Sequence, residues 1–299
     1  MTDGRKALLF ARGILLECGR ELMRRRMESL GEVEEKNGYD DVVTPNDRWA
    51  QDFICGRLLE RFPSHGILGE EGARKKGESP WLWVLDPIDG TTNFIHLGKL
   101  YAISLGLYYG GKPYGGLVLD VEQGRVYEGL EKPVSLPRGE AGQCRRSLLH
   151  LGYKTMEHLA AMGSDPLALP RQFRGVRYFG CASLEMCSLP EEESALYLHT
   201  HLKPWDFAAA VPVLHSRGWG ATVFPMGEES YFVAAYPTRA LWEQCQVWLP
   251  PRLLEEMEQD RGCLLYTSGQ RYRQRKRPGG KDICLCRPGV HQRQCGAFR

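Results

Sequence analysis

The run Trp81-Leu82-Trp83-Val84-Leu85 ends on Asp86-Pro87-Ile88-Asp89-Gly90. Five successive apolar residues, three of them aromatic or β-branched, predict a strand buried on both faces. Its end places two carboxylates where open α/β sheets hold their ligands, at the carboxyl edge of the sheet. Two ionised carboxylates so close repel each other, and burial adds to the cost, unless a cation stands between them. Mg2+ is held by a few such oxygens together with water and phosphate oxygens. Pro87 and Gly90 also suit an ordinary Asx turn at a strand end, so the pair by itself leaves both readings open.

The residues that follow favour the ligand site. Gly90-Thr91-Thr92-Asn93 lets a backbone approach closely, and a helix starting there turns its positive end towards an anion. Carboxylates for a metal beside amides for a phosphate make the layout of metal-assisted phosphoryl transfer.

The rest of the chain predicts an α/β fold. Leu8, Ile14, Leu15, Leu22 and Met23 recur at helical spacing and predict a helix over 5–28. A loop is expected over 37–41. Thr44 as N-cap and Pro45 at the first helical position then open a helix that runs to about Phe62. Residues 66–69 predict a short strand delivering Glu70 and Glu71, and 72–80 read as a mobile, lysine-rich surface loop. Strands are expected over 102–109 and 115–121 around Gly110-Gly111-Lys112, a hairpin signal. Prolines 133, 137, 166 and 170 obscure 124–175, apart from a helix near 156–162. Helices over 181–189 and 205–215, with Asp206 near the start of the second, and strands at 195–199, around Val223 and at 231–235 complete the pattern.

At 299 residues, 42% apolar and 25% charged, the chain has the composition of a globular protein with no overall pull towards nucleic acid or membrane. Charged residues interrupt the early apolar positions, no apolar run approaches the ~20 residues of a membrane span, and a cytoplasmic protein is expected. Charge is uneven, however. Residues 261–299 hold ten Lys or Arg against one acid, Asp282, which leaves 29 basic and 36 acidic residues over 1–260. A basic, poorly ordered tail on a mildly acidic body is expected. The ten cysteines are scattered and read as free thiols. Cys284, Cys286, His291 and Cys295 in the tail have a spacing that fits no common zinc finger.

Asp86-Pro87-Ile88-Asp89-Gly90-Thr91-Thr92-Asn93-Phe94 resembles the first signature of the inositol monophosphatase family. Further blocks match in order: Asp41-Val42-Val43-Thr44-Pro45-Asn46-Asp47, Phe62-Pro63-Ser64-His65, Gly69-Glu70-Glu71 and Lys203-Pro204-Trp205-Asp206-Phe207-Ala208-Ala209. The resemblance covers 36–125 and 180–212. It implies a layered α-β-α-β-α sandwich, with the site between an N-terminal part (1–125) and a C-terminal part (126–260). It implies that Glu70, Asp86 and the backbone carbonyl of Ile88 hold one Mg2+, that Asp86, Asp89 and Asp206 hold a second, and that a third, weaker ion lies beside Glu70. Gly90 and Thr91 are implied to bind phosphate through N–H groups, and Thr91, oriented by Asp47, to help Glu70 activate the attacking water. Asp89 and the segment Gly180-Cys181-Ala182 are implied to line the sugar side, and Lys36 stands where the family has a site-lining basic residue. A homodimer is implied as well.

The chain departs from the family pattern on the substrate side. Cys181 replaces a serine or threonine, exchanging a good hydrogen-bonding hydroxyl for a weak group. His199 stands seven residues before Asp206, where inositol-specific members have a glutamate. The activity expected is Mg2+-dependent hydrolysis of a small phosphate monoester, an inositol monophosphate or a related polyol or sugar phosphate. Fructose-1,6-bisphosphatase and 3'-phosphoadenosine phosphatase activities share the same metal core. A non-catalytic scaffold using the basic tail on nucleic acid is the reading from another class.

Overall fold

The helix expected over 5–28 forms α1 (Asp3–Glu28), because Ala7, Leu8, Ala11, Ile14, Leu15, Cys18 and Leu22 make one buried stripe. In the computed structural model, residues 3–259 are described, apart from 39, 40, 141, 142, 193, 194 and 228. The basic tail and its cysteines and His291 lie outside the described residues. Next come β1 (Glu34–Gly38) and β2 (Asp41–Val43), an antiparallel pair where the sequence predicted a loop. Only Val43 of the pair is buried among its described residues, so no apolar alternation announced it.

Then α2 (Pro45–Arg61) starts as predicted. Thr44 Oγ1 accepts the Asn46 N–H at 3.1 Å while Asp47 reaches back to the Thr44 N–H at 2.8 Å, a capping box. After α2 come β3 (Gly66–Gly69), β4 (Arg74–Lys75) and β5 (Trp81–Asp89). Part of the loop expected over 72–80 is therefore the edge strand β4, paired with β3. The strand expected to stop at Leu85 continues to Asp89. Asp86 pairs with Ser104 and Asp89 with Ala102, so three steps on β5 oppose two on its neighbour. Residues three apart on a regular strand face opposite sides; this bulge resets the alternation and aims both carboxylates one way.

Downstream are α3 (Thr91–His96), β6 (Ala102–Tyr109), β7 (Lys112–Asp120) and β8 (Arg125–Leu130). The first sheet has the order β4-β3-β5-β6-β7-β8 and so runs past the boundary expected at residue 125. Following it are β9 (Leu148–Leu151), α4 (Tyr153–Ala161), β10 (Gly175–Arg177), α5 (Ala182–Ser188) and β11 (Ala195–Leu202), the last three residues longer than expected. The chain then forms α6 (Pro204–Phe207), α7 (Ala210–Ser216), β12 (Gly220–Gly227), β13 (Ser230–Tyr236), α8 (Arg239–Gln246) and α9 (Pro251–Gln259). The second sheet has the order β10-β9-β11-β13-β12.

One helix was expected over 205–215, and the structure has two. Pro212 has no N–H to give to the carbonyl of Ala208, four residues before it, so the helix breaks there.

The layers follow from which faces are apolar. Residues of α1 and α2 share a core with Leu85, Ile103, Leu105 and Leu117 on one face of the first sheet. Its other face (Ala102, Val118, Tyr127) meets α5 and α7, which also cover Ala195, Tyr197 and Val233 of the second sheet. The alternate residues Leu196, Leu198, Phe232 and Ala234 pack on α4, α8 and α9. Helix and sheet layers thus alternate, an α/β sandwich. No described helix is long and apolar enough to cross a membrane.

Candidate active site

Five elements carry the predicted residues: the ends of β3 and β5, the start of α3, the start of α2 and the start of α6. Glu70 follows β3, held by its N–H on the Leu85 carbonyl at 3.1 Å. Its carboxyl lies within hydrogen-bonding reach of Asp86. Asp86 is buried, and its Oδ1 accepts the Ile88 N–H at 3.0 Å. The Asx turn that the sequence also allowed is therefore present, and it aims the carboxylate rather than competing with a ligand role.

Burial pushes the Asp86 carboxyl well above the usual range, and the neighbouring charges of Glu70, Asp89 and Asp206 push it further. Asp206 is raised well above its usual range, chiefly by burial and then by Asp89 and Glu70. Burial also raises Glu70, against the opposing pull of Lys36. Asp86 thus feels the charge of all three other carboxylates of the predicted set.

Protein donors hold much of this charge. Lys36 Nζ lies 2.9 Å from Glu70 Oε1 and bonds Glu71 as well. Burial opposes the ammonium, but the two glutamates outweigh it and hold its pKa high. Asp89 accepts the Ala182 N–H at 3.2 Å and the Ser183 N–H at 2.6 Å, capping α5. Asp206 accepts the Lys203 N–H at 2.7 Å. With the side chains so turned, no group of three or more His, Cys, Asp or Glu among the described residues is assembled as a metal cage. The donor set nevertheless fits a hard divalent cation: every member is an oxygen, three are buried or half-buried aspartates, and mutual repulsion raises their affinity for any positive charge.

Beside the carboxylates lie the residues expected to bind phosphate. Gly90 adopts φ 85°, a left-handed conformation that admits glycine, and caps α3. A Cβ there would meet Cys181 Cβ and the Gly180 carbonyl oxygen, each at 3.1 Å, so two glycine turns from distant parts of the chain touch. The first N–H groups of α3 have no partner within the helix. Thr91 Oγ1 lies 3.0 Å from Asp47 Oδ1 and 3.0 Å from the Ile88 carbonyl. Asp47 is buried, which raises its pKa against the hydrogen bonds from Thr44 and Thr91.

Among the residues expected to line the substrate side, Gly180 has φ 74° and Cys181 is buried, its thiol bonded to Asp89. A ligand contact from Cys181 therefore falls to its backbone, and the Ala182 N–H is already taken by Asp89. His199 sits on β11, partly buried, with Nδ1 accepting the His201 N–H at 3.2 Å. Burial, with His201 and Lys154 adding repulsion, pushes its pKa down to about 4. A neutral ring that accepts on Nδ1 carries its proton on Nε2 and presents a donor.

Some participants were missed in the sequence. Gln51 clamps the Glu71 backbone through both its N–H and its carbonyl, each at 2.9 Å. A polar residue on the buried stripe of α2 was the signal. Glu71 itself, which shares Lys36 with Glu70, was read only as a neighbour. His150 and Glu185, 35 residues apart, meet in the core at 2.9 Å, and no local pattern marks them.

With this geometry in hand, the chain belongs to the inositol monophosphatase family, whose sequence model matches residues 5–257. It is 30% identical over 227 residues to the inositol-1-monophosphatase of Bacillus subtilis, covering 73% of this chain and 85% of that protein. It is 32% identical over 261 residues to the Nus factor SuhB of Pseudomonas aeruginosa, covering 78% and 93%. Among solved structures, the 2'AMP-bound staphylococcal IMPase-II superposes with a TM-score of 0.67 at 28% identity, over 84% of this chain and 98% of that one.

Proposed function

We propose that the protein hydrolyses a small phosphate monoester of a polyol or sugar with the help of Mg2+. The observation that supports this most is the convergence of Glu70, Asp86, Asp89 and Asp206 beside a threonine whose hydroxyl is fixed by Asp47. Glu70, Asp86, the Ile88 carbonyl, Asp89 and Asp206 are the groups that would hold the ions. When bound, such ions offset negative charge on the phosphate and on the departing oxygen.

The chain's own residues do the rest. The N–H groups at the start of α3 receive phosphate oxygens, and Gly90 lets the ester come close to the backbone. Asp47 draws the Thr91 proton towards itself, leaving the threonine oxygen's lone pairs to accept a proton from an attacking water. Glu70 stands ready as the second acceptor, and Lys36 fixes its orientation. His199 would offer Nε2–H to a ligand oxygen where a glutamate would accept from a hydroxyl, which favours a substrate other than the inositol-specific one.

The test is phosphate release from inositol, glycerol, fructose and nucleotide phosphates, with and without Mg2+. Turnover that needs Mg2+ and is lost in Asp86→Asn is expected. A folded protein that binds Mg2+ and turns over none of these esters would sink the reading. The resemblance to a protein named a Nus factor supports a second reading, in which the chain acts by binding a partner. Retention of biological function by Asp86→Asn would favour it.

A further inference from the structure

We infer that Glu185 and His150 are positioning residues for the turn at 179–183, which the family resemblance implies on the substrate side; the inference rests on the function proposed above. Neither residue touches the proposed metal ligands through any hydrogen bond that the structure shows, and neither has a part in the chemistry above.

The key is Phe179, the residue immediately before Gly180. Its N–H donates to Glu185 Oε1 at 3.3 Å. Its carbonyl accepts from Asn93 Nδ2 at 2.7 Å. Its ring meets the His150 ring edge-on, with centroids 5.3 Å apart. Phe179 is thus gripped at its donor, at its acceptor and at its side chain, by three elements of the fold.

Each grip is itself anchored. Asn93 Nδ2 also donates to the Leu100 carbonyl at 2.8 Å, so one amide ties the phosphate-side helix to the substrate-side turn. Glu185 Oε1 is shared with His150 Nδ1 at 2.9 Å, and His150 Nε2 lies 2.8 Å from Glu192 Oε2. Both His150 and Glu185 are buried. A buried imidazole between two carboxylates has no freedom to turn, and its loss would strand a buried acid.

Geometry decides what the grip is for. Gly180 is left-handed at φ 74° and has no side chain to hold it. The turn must nevertheless deliver the Ala182 and Ser183 N–H groups onto Asp89 and keep the Gly180 carbonyl against Gly90. A glycine turn keeps such a conformation only if its flanks are fixed. Asp89 fixes the far flank, and Glu185 with His150 and Asn93 fixes the near one. Small misplacements of a binding backbone weaken substrate binding strongly.

The experiment compares Glu185→Leu, which removes the acceptor, with Glu185→Gln, which keeps it. Hydrogen–deuterium exchange of peptides over 178–185 is read alongside KM and kcat, with Mg2+, for whichever of the inositol, glycerol, fructose and nucleotide phosphates the wild type turns over best. In Glu185→Leu, exchange quickens about tenfold and KM rises about tenfold, the worth of one buried hydrogen bond. The change in kcat is much smaller, and Glu185→Gln recovers most of both losses. Unchanged exchange in folded Glu185→Leu overturns the inference whatever the activity. Quickened exchange with KM and kcat both unmoved overturns it too. A wild-type protein that turns over no ester, with exchange quickened in the variant, overturns the functional reading and keeps the grip on Phe179. Should Glu185→Leu not fold, His150→Gln is put through the same measurements, with the same outcomes deciding.

Discussion

Thr91 Oγ1 and Asp47 Oδ1 lie 3.0 Å apart although 44 residues separate them in sequence. The second oxygen of Asp47 is committed to the Thr44 N–H at 2.8 Å and its hydroxyl at 2.6 Å. One carboxylate therefore both starts α2 and aims the threonine, so the helix cap and the Thr91 hydroxyl cannot drift independently. Asp47→Asn keeps the shape but weakens the pull on the Thr91 proton. Steady-state kinetics should show kcat lower by about 100-fold, within the usual range for a lost acid–base contribution, with KM moved far less. Equal losses in kcat and in folding stability would point to the cap alone.

Asp86→Asn should separate stability from activity. Removing one charge from a buried, mutually repelling set relieves the folded state when no divalent cation is added. An increase in Tm of about 2–4 °C corresponds to ~1 kcal/mol in a chain of this size. Mg2+ should raise the Tm of the wild type, by preferential binding to the folded state, and leave the variant nearly unchanged. Thermal scans with and without Mg2+ check both halves; a lower Tm in the metal-free variant contradicts them.

His150 predicts a loss of stability in alkali. Burial pulls its pKa down, yet hydrogen bonds and charge from Glu185 and Glu192 raise it to about 9. A group raised above its unfolded value of ~6.5 contributes fully below pH 6.5, and that contribution fades as pH rises through 9. Glu185, pushed up by burial, adds a loss of the same sign as pH rises through its own transition. The shift corresponds to ~3 kcal/mol at most. Urea unfolding at pH 6 and pH 9.5 should show the decline, and His150→Gln should flatten it.

The glycines of β6 and β7 make a fourth test. A Cβ on Gly116 would meet the Ala209 carbonyl oxygen at 2.0 Å, and one on Gly106 the Ala208 carbonyl oxygen at 2.8 Å. Both carbonyls belong to the break between α6 and α7. Gly116→Ala should cost ~1–3 kcal/mol or more by overpacking and lower activity, since the displaced turn directly follows Asp206. Gly56→Ala in α2, where nothing lies within 4 Å, should stabilise by ~0.5–1 kcal/mol instead. Chemical denaturation of the two variants side by side distinguishes the sites.

Asp86 and Asp89 were legible as a candidate pair because their types, turn residues and spacing are local, whereas Glu70 and Asp206 were reached only through the family resemblance. The α/β alternation was legible too, from apolar periodicity. The bulge between Asp86 and Asp89 was not, because register belongs to the pairing with β6 rather than to β5 alone. The β1–β2 pair escaped because its strands are short and only Val43 among their described residues is buried. The break at Ala208 was readable in principle, since Pro212 stands four residues further on; the amphipathic pattern masked it. His150 with Glu185 and Asn93 with Phe179 are long-range pairings, and no window of sequence contains them.

Asp206 stands on α6, just before a turn that packs against glycines of the first sheet. Synthesis from the amino end therefore completes Glu70, Asp86 and Asp89 more than a hundred residues before their fourth partner is made. A chain still on the ribosome can form the first sheet with its strongest electrostatic repulsion incomplete. The carboxylate set then gains its last member only after the residues of the first sheet, 66–130, have all been made.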